Sequence, residues 1–350
     1  MRKRLSLLAV VLAGAGALTT LGAAGGPGYE WQLTPTGSAA RLRGVSAISA
    51  QIAWTSGSLG TVLRTVDGGA SWQNVSPPGT ATLQFRDIEA FDADRAVILS
   101  IGAGADSRIY VTEDGGQSWT LAFLNTDPNA FYDCIAFFDE KRGLGLSDPV
   151  GGRFRIIATE DGGRSWSVVA ADMPPALPAE FAFAASGQCV VTDHGHRAWF
   201  ATGGDAVARV FRSDDRGRSW QVSPTPLRSG PSAGVFALAF RGQQHGLAVG
   251  GDFLLPSASP DMLASTDDGG TSWRLVAAAP NEYRSGAAWV TGSSAVVVGP
   301  TGSDASFDSG QTWQGFDDGS FDTVDCAHPG ACWASGESGR VAYLVSADGT

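Results

Sequence analysis

Three arginines, Arg43, Arg86 and Arg284, stand at comparable points at the starts of alternating apolar runs, and Tyr132 and Asp133 take the same place in a further run. Guanidinium groups gathered in this way form a rim suited to capturing an anionic group through charge-assisted hydrogen bonds. Asp148, Asp205 and Asp252 follow the second apolar run of their own segments. Two acids converging about 5–9.5 Å apart in a cleft would instead point to glycoside hydrolysis. The plainer reading of the set is a solvated mouth where arginines pair with aspartates, each pair adding about 0–1 kcal/mol. His194-Gly195-His196 offers two imidazoles, but in what reads as a hairpin turn beside Asp193, and no third ligand is evident. No metal site is expected. Cys326 and Cys332 bracket a short turn and are expected to pair, while Cys134 and Cys189 either bridge neighbouring strands or stay buried thiols. Closing so small a loop as the first would add roughly 2 kcal/mol.

What positions these residues is a repeat. The pattern [ST]-x-D-x-G-x-[ST]-W occurs six times in full, at 65–72, 112–119, 159–166, 213–220, 266–273 and 306–313. Its aspartates are Asp67, Asp114, Asp161, Asp215, Asp268 and Asp308. Successive spacings of 47, 47, 54, 53 and 40 residues suit one four-stranded propeller blade per copy. A seventh copy is split between the chain ends. Residues 346–348 begin it with Asp348, and Trp31-Gln32 matches Trp72-Gln73 and Trp220-Gln221 of complete copies. The N-terminal segment is therefore expected to supply the outer strand of the last blade, closing the ring and removing a free sheet edge. Blade 2 reads as strands over 85–91, 95–101, 108–112 and 119–123, without a lasting 3.6-residue period. The fold class is all-β, a seven-bladed propeller occupying residues 25–350 as one domain.

The motif has a structural logic that needs no ligand. Its Asp can accept backbone N–H bonds inside the turn, and its Gly supplies a positive φ. The Ser or Thr holds the far side, and the Trp (Trp31, Trp72, Trp119, Trp166, Trp220, Trp273 and Trp313) covers the loop with a large apolar face. A calcium-loop reading fails because only one position is acidic throughout.

Composition bounds the partners. The chain has 350 residues, 47 of them glycine, and a formal net charge of −11. An acidic surface argues against nucleic acid, which needs clustered cations. Arg2, Lys3 and Arg4, the apolar stretch 5–21 and the small residues at 22–24 read as a signal peptide cleaved near Ala24. The mature chain then carries −14 and should be exported, without a membrane span and monomeric. No phosphate-cradling loop precedes a helix, so no cofactor is expected.

The repeat resembles the Asp-box (BNR) repeat, over essentially all of residues 31–350. Phe85-Arg86-Asp87, Tyr283-Arg284-Ser285 and the stretch 131–138 make it most similar to the photosystem II stability/assembly factor type and its secreted bacterial relatives. The resemblance implies a non-catalytic scaffold that captures a protein partner during assembly. The better-known members bind through a basic patch, whereas this chain is acidic. Asp-box propellers also include sialidases and xyloglucanases, so a secreted glycosidase is the enzyme alternative. Sialidases of this kind have six blades and an early Phe/Tyr-Arg-Ile-Pro element. The nearest string here, Phe154-Arg155-Ile156-Ile157, lacks the proline. Some similar bacterial chains carry an oxidoreductase label for which no cofactor motif is visible.

Overall fold

Short runs such as AVILSI at Ala96–Ile101, bounded by Arg95 and Gly102, leave the backbone little choice but extended pairing with neighbours on both sides. The computed structural model describes residues 28–327 and 330–347. Among them lie seven four-stranded antiparallel sheets and two single 3-10 turns, arranged as a β-propeller. Blades 1 to 3 begin with the inner strands Leu42–Ala47, Gln84–Ala90 and Tyr132–Phe137. Blades 4 to 6 begin with Val190–Thr192, Ala233–Arg241 and Gly286–Trp289. Blade 7 consists of Thr323–Ala327, Ala331–Ser335 and Val341–Ser346, with Tyr29–Leu33 as its outer strand. The register runs Tyr29↔Ser346 through Trp31↔Leu344 to Leu33↔Ala342. The expected closure of the ring is the observed one. Asp348 and the leader, including Ala24, lie outside the described residues.

Each motif closes the hairpin between the third and fourth strands with one hydrogen-bond set. In the first copy Thr65 Oγ1 donates to Asp67 Oδ1 (2.8 Å), Ser71 N to Asp67 Oδ1 (2.9 Å) and Ser71 Oγ to Asp67 Oδ2 (2.6 Å). The same three bonds recur around Asp114, Asp161, Asp215, Asp268 and Asp308. Donors converging on an ionised carboxylate favour its charged form. All six carboxyls accordingly sit below the ordinary range, Asp268 and Asp308 at about 2. Gly116, at φ +82°, could not become Ala, because its Cβ would lie 2.5 Å from that of Val75 in the preceding blade. Six of the seven motif tryptophans divide by reach. Trp166, Trp220 and Trp313 donate to their own motif glycine carbonyls at 3.0–3.1 Å. Trp72, Trp119 and Trp31 reach the preceding blade instead, bonding Thr34 Oγ1, Val75 O and Ser303 Oγ.

The core is a set of aromatic wedges between blades. Phe154 of blade 3 packs at 5.1 Å on Phe200 of blade 4, which stacks at 4.4 Å on Phe211. Trp199 stacks at 3.8 Å on Phe240 of blade 5. Both cysteine pairs form disulfides. Cys326–Cys332 ties the inner hairpin of blade 7, and Cys134–Cys189 links blades 3 and 4.

Candidate functional site

Inner strands all start on one face of the ring, and antiparallel order places every motif hairpin on the other. At the starting face Arg41 binds Asp322 bidentately (2.7 and 2.8 Å) and approaches Glu337 at 3.8 Å. Arg43 Nε lies 3.9 Å from the same Asp322. Arg86 has no carboxylate partner among the described residues; its Nη1 donates to Ala184 O at 2.8 Å. Burial, with Arg43 and Arg41 nearby, lowers its guanidinium to about 10, and burial also lowers Arg43. Both stay cationic at neutral pH. Buried Tyr283 adjoins them, its hydroxyl pKa raised mainly by burial, and its ring meets Phe236 edge-on at 4.8 Å. Phe236 in turn stacks on Phe183 at 3.8 Å, and Phe253 covers both. Phe253, Leu254 and Leu255 then protrude, exposed at 45 %, 69 % and 46 %.

Three of the five expected rim residues are buried. Arg284 is 3 % exposed, bound to Asp304 (2.7 Å), Glu282 (3.1 Å) and Thr301 (2.8 Å), so it serves blade 6 from within. Removing it would strand Asp304, a loss typically of about 3–5 kcal/mol. Tyr132 is 1 % exposed and packs edge-on against Phe123 at 5.2 Å. Asp133 is 1 % exposed as well, and its Oδ2 meets no donor among the described residues. Asp205 and Asp252 hold backbone amides of their own loops, at Ala206 and Leu254. His194 and His196 belong to a turn whose Gly195, His196 and Arg197 amides all donate to Asp193 Oδ1 at 2.9 Å. No group of three His, Cys, Asp or Glu side chains suited to a metal occurs among the described residues.

Asp133 and Asp148 form a carboxyl pair at this face with no arginine between them among the described residues. Burial pushes Asp148 up to about 6 against the Ala182 N–H bond, and burial plus Asp148 holds Asp133 well above the usual range. Groups that bind protons more tightly when folded stabilise the fold fully below the unfolded pKa, and that gain is lost as pH rises through the folded value. Stability should therefore fall between about pH 4 and 6. Asp148→Asn keeps the acceptor for Ala182 and removes the charge. It is expected to flatten that fall by roughly 1–3 kcal/mol, measured as urea midpoints at both pH values; an unchanged slope would remove the pair as its source.

The axial channel was not legible beforehand. Residues 184–188 cross it from blade 4. Ser186 O accepts from Thr323 Oγ1 (2.9 Å), and Gln188 Nε2 donates to Ala287 O (2.8 Å) and Val324 O (3.0 Å). Gly187, at φ +77°, abuts Asp87. On the hairpin side a cavity of about 450 Å³ remains, lined in part by Asp87, Glu89, Asp325 and Thr192. Burial raises all three carboxyls. Two of them are staples between blades: Asp87 accepts from Ile135 N (2.7 Å) and Asp325 from Ala47 N (2.8 Å). Their alternation with apolar residues on inner strands was the available signal.

No family model and no curated protein matches this sequence. Solved structures share its fold. YCF48 bound to a D1 peptide superposes with a TM-score of 0.65 at 17 % identity, covering 90 % of this chain and 96 % of that one. YCF48 from Cyanidioschyzon merolae gives 0.61 at 13 %, over 89 % and 98 %. A GH74 xyloglucanase from Xanthomonas campestris gives 0.62 at 15 %, over 90 % of this chain but 53 % of that one. These likenesses establish the propeller and leave activity open. No helix among the described residues is long and apolar enough to cross a membrane, and the two disulfides fit an oxidising compartment.

Proposed function

We propose that the chain is an exported Asp-box propeller that captures a protein partner on the face where its inner strands begin. The carrying observation is Arg86, a largely buried cation held beside Arg43 with only a backbone carbonyl as its acceptor. Such a group has donors left for an incoming carboxylate. The adjoining Phe253, Leu254 and Leu255 offer exposed apolar contact, so the face suits a segment that combines an acidic group with apolar side chains. The overall likeness to YCF48, there bound to a D1 peptide, supports a peptide or protein ligand. Arg41, Arg43 and Arg86 supply a basic patch on a chain whose net charge is −11.

Replacing Arg43 and Arg86 by Gln is expected to weaken partner capture at least about tenfold while leaving the melting temperature close to wild type. Affinity purification from the host envelope with both proteins measures it. Identical capture profiles would overturn this face. The hydrolase alternative would need Asp133 to reach a substrate, and its 1 % exposure opposes that. Release of reducing sugar from xyloglucan by wild type, lost in Asp148→Asn, would favour it instead.

A further inference from the structure

On the hairpin face, a groove of about 400 Å³ opens between blades 5 and 6. In blades 1 and 4 the residue just before the motif is an arginine that spans to the next blade's hairpin. Arg64 Nη1 reaches Gly115 O at 3.5 Å, and Arg212 Nη1 reaches Thr271 Oγ1 at 2.7 Å. Blade 5 has the short Ser265 at that position, and Ser265 lines the groove.

The groove is built from cations. Arg241 stacks on Trp289, its guanidinium carbon 4.5 Å from the ring centroid, and has neither a hydrogen bond nor a carboxylate partner among the described residues. Stacking fixes the plane and leaves the N–H edge free to donate. Arg274 also lines the groove, bonded to Asp267, which His245 Nδ1 contacts at 2.9 Å. Two guanidiniums thus face one carboxylate, leaving the groove cationic on an acidic molecule. Ser265 and Gln311 add polar groups, and the volume falls in the range of small-ligand sites rather than of a bare ion.

We propose that this groove binds an oxyanion carried on a ligand about the size of a monosaccharide, with Arg241 as its main donor and Arg274 flanking. The oxyanion is a sugar carboxylate or a sugar phosphate, recognised through the same paired N–H···O geometry. The site lies across the ring from Arg43 and Arg86 and does not depend on the partner-binding reading.

Calorimetric titration of the full chain at low salt with glucuronate, glucose phosphate and glucose tests it. At least one anion should bind while neutral glucose does not, and which one binds identifies the source of the oxyanion. Arg241→Met keeps a flexible stem over Trp289 without the donors and should weaken binding at least about tenfold. Ser265→Arg fills the groove as Arg64 does in blade 1 and should abolish binding in a folded protein, which decides the matter if Arg241→Met folds poorly. Binding of glucose equal to that of the anions, no binding by either anion, or undiminished binding by the folded Ser265→Arg chain would overturn the proposal.

Discussion

A chain lacking residues 29–33 is expected to lose its single cooperative unfolding transition and to self-associate. The deletion strips five register pairs from the strand Val341–Ser346, leaving an open edge for another chain to pair with. It also removes Trp31, which is 6 % exposed, lies 5.3 and 5.9 Å from Phe321 and Phe316, and bonds Ser303. Loss of a buried Trp side chain alone costs about 3–5 kcal/mol, so Trp31→Ala should show the first part of the effect without the second. Calorimetry and sedimentation measure the two separately. A deletion variant that melts as a monomer near the wild-type temperature would mean that ring closure contributes little.

Gly187→Ala should destabilise by roughly 3–5 kcal/mol. A left-handed backbone costs an alanine about 1–2 kcal/mol. Its Cβ would also lie 2.4 Å from Asp87 Oδ1, displacing a carboxyl that holds both Ile88 N and Ile135 N. Breaking bonds to such a group adds about 1.5–3 kcal/mol. Chemical unfolding of Gly187→Ala beside Gly151→Ala makes the comparison. Gly151 has a similar φ of +66° and open space around it, so only the backbone part should appear there. Equal losses would mean that Asp87 moves aside freely.

The repeat made most of the fold legible. A motif whose Asp, Gly and Ser/Thr each have one geometric task can only close a hairpin, and the match of Trp31-Gln32 to Trp72-Gln73 was enough to place the outer strand of blade 7. The candidate site was legible to a lesser degree. Arg43 and Arg284 occupy like positions, yet Asp304, two strands along in blade 6, draws Arg284 inward, and that pairing depends on register rather than spacing. Tyr132 corresponds to Leu42 and Phe85, the core residues one place before Arg43 and Arg86, and the same bulge follows all three, so its expected place on the rim is a one-residue shift in alignment. Residues 184–188 follow a long connector with no period to read. Their role emerges only from bonds to Thr323, Ala287 and Val324, more than ninety residues away. The disulfide Cys134–Cys189 belongs with them, since it anchors the end of that connector to blade 3.

Because residues 184–188 bar the axle of the wheel, the vestibule on the hairpin side is a cul-de-sac. A solute that enters past His194 meets Ser186, Gly187 and Gln188 across its path. The two sides of the disc can therefore hold different guests at once, separated by a bulkhead of five residues.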